Sequence, residues 1–272
     1  MKCLICDSAS EYYFSKTYSE PPFDRFMTTI GPVDYWKCVN CGFVLSKTHA
    51  DLDDASWGDL NKEVHDFLEG PANSDRQLGN QPPYLDQAAM VAVLGRHGII
   101  DTGNMLDYAA GYGTLSSLLD RYFGLTLPIY DAFVRVGDDS RYVQQPGVYK
   151  TVINSAMFEH IRCREDLEDL HALCADDGCL ILHTVICENI PADPDWFYIR
   201  PPVHTAFHTN KSMDILMRQW GFTASIYSPK AKSWVLLKTG GDMADSIAAI
   251  NQEVQDNYLI HKQGFVDYWK GF

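Results

Sequence analysis

Short apolar runs alternate with helical periodicities through the middle of this chain of 272 residues. The run 105–108 is too short for a helix and reads as a buried strand. A glycine-hinged turn follows, and then a helical pattern over 115–122. Further strands are predicted at 125–131, 148–155 and 179–184, and an amphipathic helix at 164–174, with a turn at Asp177-Gly178 before the last of these strands. A helix at 212–220 precedes two late strands, 224–227 and 233–238, joined through Ser228-Pro229 as an antiparallel hairpin. Upstream, Pro82-Pro83 caps a helix over 84–95 whose Leu85, Ala88, Ala89, Val91, Ala92 and Val93 give a broad apolar face. The stretch 241–272 reads as a polar amphipathic helix ending in Phe265, Tyr268, Trp269 and Phe272. Strands alternating with helices predict an α/β fold, a sheet with helices on both faces.

The first strand ends in the chemistry. Asp107 is followed by Gly111 and Gly113 in the spacing D-x-x-x-G-x-G. Glycines there let the backbone approach a ligand, and the turn presents the free N–H groups of the next helix. A dinucleotide loop would carry a third glycine where this chain has Ser116, and gives no reason for the acid. The motif resembles the first motif of the class I S-adenosylmethionine-dependent methyltransferases. Three later segments resemble the same family in order: Glu159-His160 after a strand, the helix-turn-strand around Asp177-Gly178, and His204-Thr-Ala-Phe-His-Thr209 followed by Gly221-Phe222. The matches extend over about 120 residues. The resemblance implies a Rossmann-like methyltransferase sheet, with the late hairpin at its edge.

The cysteines add a second feature. Cys3-x-x-Cys6 and Cys38-x-x-Cys41-Gly42 are paired knuckles, the spacing of a four-thiolate zinc site. With the coordination sphere filled, the role is structural. Tyr12, Tyr13, Phe14, Tyr35 and Trp36 supply aromatic residues for a small core around them. Cys163, Cys174, Cys179 and Cys187 are scattered and read as ordinary buried residues. The organisation is then a zinc-ribbon-like module at 1–50, an acidic connector or lid at 51–80 with a helical piece near 60–68, a methyltransferase domain at 81–239, and a helical tail at 240–272. The tail could pack on the core or on a second copy, as a homodimer.

A net charge of −14 without a basic footprint counts against a polyanionic substrate, so no nucleic-acid partner is expected. No apolar run reaches the ~18–20 residues of a membrane span, and the N-terminus lacks a signal-peptide core, so the expected compartment is the cytoplasm.

The resemblance implies roles. Gly111 and Gly113, with Ala109 and Tyr112 of the same loop, approach the cofactor. Asp107 accepts from its cationic end, Asp131 binds the ribose, and Asn154 and Ser155 lie beside the sulfonium. Tyr112 and Phe133 could equally be packing residues. On the acceptor side, His160 and His204 are candidate general bases, with His208 a weaker third, and Glu159 orients a hydroxyl or caps its helix. The ubiquinone-type branch has a metal-binding E-x-x-E-H element, but Ala156 stands where its first acid would be, so no catalytic metal is expected. The zinc module resembles that of deoxysugar C-methyltransferases. Trp57, Tyr84, Trp196 and Tyr198 are candidates to line a pocket for a small hydroxylated acceptor such as a sugar nucleotide or natural-product intermediate. Two other readings stay open: an RNA methyltransferase with a zinc module, and an inactive cofactor-binding scaffold.

Overall fold

The computed structural model of the chain describes residues 1–69, 81–134, 137–239, 241 and 243–267. In chain order the strands are β1 (Ser10–Lys16), β2 (Val33–Cys38), β3 (Val44–Ser46), β4 (Met105–Tyr108), β5 (Ile129–Tyr130), β6 (Tyr149–Ser155), β7 (Cys174–His183), β8 (Ile186–Cys187), β9 (Ala206–Thr209), β10 (Ala224–Ser228), β11 (Ser233–Leu237) and β12 (Ile260–Gln263). The helices are α1 (Asp24–Met27), α2 (Lys47–Ala50), α3 (Asp54–Glu69), α4 (Tyr84–Arg96), α5 (Thr114–Phe123), α6 (Arg164–Ala172), α7 (Asn210–Gln219) and α8 (Ala244–Val254). The chain divides into two compact units, one of Met1–Asn80, Phe158–Leu167 and Val185–Ile215, the other of Gln81–Met157, Glu168–Thr184 and Leu216–Phe272. Among the described residues no helix is long and apolar enough to cross a membrane.

The second unit is built on a seven-stranded sheet in the order β12-β10-β11-β7-β6-β4-β5. Strands β5, β4, β6 and β7 run parallel, and β11, β10 and β12 are antiparallel. Strand β4 is first in the chain and is flanked by β5 on one side and β6 on the other, so strand order reverses there. The carboxyl ends of β4 and β6 therefore form the crevice where open α/β sheets bind ligands. Ala88, Met90, Val91 and Leu94 of α4 enter a core with Leu115, Leu119, Ile153, Ile181 and Val235. Leu85, expected inside, is 56% exposed.

Three local expectations are corrected. The Asp177-Gly178 turn lies inside β7, where a Cβ at Gly178 would stand 2.8 Å from the Lys150 carbonyl oxygen. Glycine serves close strand approach there, at a register irregularity against β6. The late hairpin forms as β10–β11, but the edge beyond it is covered by β12. The segment read as one C-terminal helix is α8 followed by β12. Gln255 turns left-handed at φ +54°, and the Asn251 side chain bonds both the N–H and the carbonyl of Leu259, folding the chain back onto β10. Phe265 stacks on Trp234 at 5.7 Å. Tyr268, Trp269 and Phe272 lie outside the described residues.

The first unit holds a five-stranded sheet, β1-β2-β3-β9-β8, antiparallel except for β9–β8. Its core is aromatic: Phe14 stacks on Tyr35 at 5.0 Å, with Trp57, Tyr198 and Phe207 in the same cluster. The register of β1 against β2 shifts between Tyr12 and Phe14, which breaks the alternation, and Tyr12 is instead 58% exposed. Helix α3 buries Trp57, Leu60 and Val64, spaced three and four apart, in this core. Segment 204–209, read from the sequence as a motif within the domain at 81–239, supplies β9 here. Trp57 and Tyr198 are packing residues of this core, and Tyr84 packs in the other unit's core.

Candidate functional site

At the end of β4 the backbone turns through left-handed conformations: Ala109 at φ +59°, Gly111 at +53° and Gly113 at +70°. For Ala109 that costs about 1–2 kcal/mol, a strain that persists only where the surroundings fix it. Ala156, just past β6, is also left-handed at φ +66°. Both strained alanines follow the two strand ends that flank the crevice. A Cβ on Gly113 would lie 2.8 Å from Ile129 Cδ1. Ser116, in the third-glycine place, donates its hydroxyl to the Leu127 carbonyl at 2.7 Å, tying α5 to the approach of β5.

Asp131 shapes the loop. Its Oδ2 accepts from the Gly111 N–H at 2.8 Å, and its Oδ1 from the N–H groups of Phe133 and Val134, also at 2.8 Å. The opposite side of the loop is held by residues the sequence did not flag. The Tyr142 hydroxyl donates to the Gly111 carbonyl at 2.6 Å, and Arg141 donates to the Gly113 carbonyl at 3.3 Å and to Ser117 Oγ at 2.7 Å. Arg141 is itself clamped by Asp139. No local pattern announces these two residues; they arrive beside β5 through a parallel bridge between Ile129 and Tyr142. Tyr112 is half-buried in the loop, and Phe133 is 46% exposed after the Asp131 turn.

Two acceptors in this crevice are unsatisfied. Asp107 is 2% exposed, and its Oδ1 has no partner among the described residues. Asn154 is fully buried; its amide nitrogen donates to the Tyr108 carbonyl at 2.9 Å, while its Oδ1 is orphaned in the same sense. Burial, and then the charge of Asp131, push the Asp107 carboxyl up to about 8. Buried lone pairs left unpartnered among the described residues fit a cationic ligand. Ser155 donates to Gln87 Oε1 at 2.9 Å, and Gln87 Nε2 donates to Ser233 Oγ at 3.2 Å. A glutamine inside the apolar stripe of α4 was the available signal for this link, which fixes the end of β6.

The remaining candidates lie in the first unit. Glu159 and His160 sit on a 3-10 turn at Phe158–His160, and His204 lies just before β9. The rings of His160 and His204 are 5.1 Å apart, edge to face. His65 of α3, a residue the sequence reading passed over, stands 5.0 Å from His160. Burial, and then the charges of His65 and His204, hold the His160 imidazole well below its usual range. His208 is fully buried against Phe43 and Phe158, and burial draws it down to about 4. It is a core residue.

The four cysteines Cys3, Cys6, Cys38 and Cys41 come together with all sulfurs within 4.8 Å of one another. Cys3 and Cys41 are 3.6 Å apart, and Cys6 and Cys38 are 3.4 Å apart. A tetrahedral site with ~2.3 Å zinc–sulfur bonds wants about 3.8 Å. Backbone N–H groups of Ile5, Asn40 and Cys41 point at the sulfurs at 3.4 Å, the arrangement that favours thiolate. Gly42 takes φ +74° beside Thr209, whose hydroxyl donates to the Cys41 carbonyl. The donor set fits a structural divalent ion.

The family described as Methyltransferase domain matches residues 78–225, more than half of the chain. No curated protein matches it. Among solved structures, it is similar to an O-methyltransferase family protein from Burkholderia thailandensis at 14% identity, over 70% of this chain and 61% of that one, with a TM-score of 0.43. It thus spans less than two thirds of that protein's length. The plantazolicin methyltransferase BpumL, in complex with a triazolic desmethylPZN analog and SAH, is 10% identical over 79% of this chain and 98% of its own, at a TM-score of 0.44. A methyltransferase in calicheamicin biosynthesis, in its SAH-bound form, is 11% identical over 55% and 52%, at 0.39. The chain belongs to the methyltransferase-domain family.

Proposed function

We propose that this enzyme transfers a methyl group to a small hydroxylated acceptor, of the class of a sugar nucleotide or a natural-product intermediate. The observation that carries the reading is the pair of orphaned buried acceptors, Asp107 Oδ1 and Asn154 Oδ1, at the crevice beside a left-handed glycine loop. When bound, S-adenosylmethionine supplies an electrophilic methyl on a positively charged sulfur. Asp107 holds the cofactor's ammonium group. The N–H groups opening α5 would meet its carboxylate. Asp131 takes the ribose hydroxyls on the lone pairs that its backbone donors leave, and Asn154 and Ser155 lie toward the sulfonium. Ala109, Tyr112 and the two glycines shape the wall between them.

On the acceptor side, an imidazole of the His160–His204 pair would accept the proton of the acceptor hydroxyl, and Glu159 would orient that hydroxyl. A neutral His160 is the form a base requires. The four cysteines hold one structural zinc, which implies a reducing compartment, the cytoplasm. The net charge of −14 supports a small acceptor over a nucleic acid.

Calorimetric titration with S-adenosylmethionine and S-adenosylhomocysteine tests the cofactor half, and a screen of hydroxylated acceptors for product methylation tests the other. Gly111→Val, at φ +53° in the loop, is expected to weaken cofactor binding at least about 100-fold while the protein keeps its circular dichroism spectrum. Undiminished binding by that variant would remove the loop from the site.

A further inference from the structure

The loop after β4 holds left-handed backbone at Ala109, Gly111 and Gly113. Glycine has little conformational preference of its own, so such a loop must be ordered from outside. Either the ligand orders it, and binding is weaker by that cost, or the protein orders it beforehand. The segment 139–143 offers the second route. Its Tyr142 hydroxyl donates to the Gly111 carbonyl at 2.6 Å. Its Arg141 guanidinium reaches the Gly113 carbonyl at 3.3 Å and Ser117 Oγ at 2.7 Å.

These side chains are themselves fixed from behind. The Ile129 N–H donates to the Arg141 carbonyl and the Val143 N–H to the Ile129 carbonyl, both at 2.9 Å, which locks the segment to β5. The Asp139 carboxylate takes Arg141 Nε at 3.0 Å and one terminal nitrogen at 2.6 Å. It also accepts the Arg141 backbone N–H at 3.0 Å. That fork leaves the other terminal nitrogen for the loop. A lysine, with one compact ammonium, cannot grip the carboxylate side-on and reach the loop as well.

Gly111 is therefore held on both sides, its N–H by Asp131 and its carbonyl by Tyr142. A peptide unit is planar and trans, so a carbonyl drawn one way turns the next N–H the other way. Drawing the Gly111 and Gly113 carbonyls onto segment 139–143 turns the N–H groups of Tyr112 and Thr114 away from it. The segment thus sets the direction of loop donors as well as the position of the loop.

We propose that Asp139, Arg141 and Tyr142 are positioning residues that pre-order the glycine loop, so that nucleoside affinity depends on a strap acting through the loop. The proposal rests on reading this loop as the S-adenosylmethionine site.

The test uses the full chain, with S-adenosylhomocysteine titrated by calorimetry and amide exchange of the ligand-free protein read at Gly111 and Gly113. Those two amides are protected by Asp131 Oδ2 and by the Ala110 carbonyl. Tyr142→Phe removes one hydroxyl and leaves the main-chain pairing with Ile129 in place. It is expected to weaken binding about 2- to 13-fold, the worth of one hydrogen bond, and to speed exchange at both amides by a similar factor while β6 stays slow. Arg141→Lys keeps the charge and loses the fork. Combined with Tyr142→Phe, it should weaken binding at least about tenfold. A contact that only stabilised the fold would lower the melting temperature and leave the affinity of the folded protein unchanged. Affinity within about twofold of wild type in the double variant, or weaker binding with unchanged exchange at Gly111 and Gly113, overturns the proposal. A wild type that binds no nucleoside sinks the cofactor reading itself, whereas the strap alone fails only where the wild type binds.

Discussion

Burial and the Asp131 charge place the Asp107 carboxyl at about 8, above its unfolded value of about 4. The sign of the consequence is fixed by linkage. A raised acid contributes stability that is fully present below about pH 4 and is lost as pH rises through about 8. Between those limits the ligand-free protein is expected to lose up to about 1.4 kcal/mol per pH unit from this group. Asp107→Asn should flatten that slope in urea unfolding. On the role proposed for Asp107, cofactor binding is expected to run the other way, because an ammonium partner favours the ionised carboxylate. Affinity for S-adenosylhomocysteine is expected to rise between pH 6 and 8, by at most about tenfold per unit, and then to level off. At pH 8, Asp107→Asn should weaken binding about 10- to 150-fold, the worth of a hydrogen bond to a charged group. Wild-type binding that ignores pH across this window would show that Asp107 does not meet the ligand's cation. Gly113 invites a parallel test on stability. At φ +70° an alanine is strained, and its Cβ would press on Ile129. Gly113→Ala should cost about 1–2 kcal/mol by thermal unfolding.

At the scale of elements, what could be read from the sequence was what local pattern encodes. The strand-turn-helix around Asp107 and Gly113, the hairpin of β10 and β11, and the helix over Tyr84–Arg96 each follow from periodicity and turn residues within a dozen positions. What escaped is set by distant pairing. Nothing in Ala206–Thr209 says that it joins β3 through Val44↔Phe207 rather than the larger sheet. Tyr142 reaches Gly111 only because the chain after β5 doubles back. The C-terminal strand shows the same limit: the helical pattern is real through Val254, and the reversal depends on one asparagine side chain. Asn251→Ala removes both 2.9 Å bonds to Leu259. It is expected to cost about 1–3 kcal/mol and to speed amide exchange over Ile260–Gln263, while exchange in β6 stays slow. Unchanged protection of β12 would mean that its pairing with β10 holds without this cap.

At the scale of the whole chain, the unit that carries the cysteine cluster is assembled from three separated segments. Its sheet needs β9 to satisfy β3, and its core draws Tyr198, Ile199, Val203 and Phe207 from beyond residue 184. A metal supplies folding energy to a small module, but it does not replace a missing strand or the missing part of a core. A fragment of residues 1–80 therefore tests whether the four cysteines sit in an independent module or in an element of a larger unit. The fragment contains all four thiolates, so it is expected to bind one zinc ion. It lacks β9 and those four core side chains, so it should show little near-ultraviolet circular dichroism and no cooperative melting transition. A sharp melt with native-like aromatic dichroism would support the compact N-terminal module that the cysteine spacing suggests. A broad, non-cooperative response with zinc still bound would show that the cluster closes the knuckles while the fold around them waits for chain synthesised more than a hundred residues later.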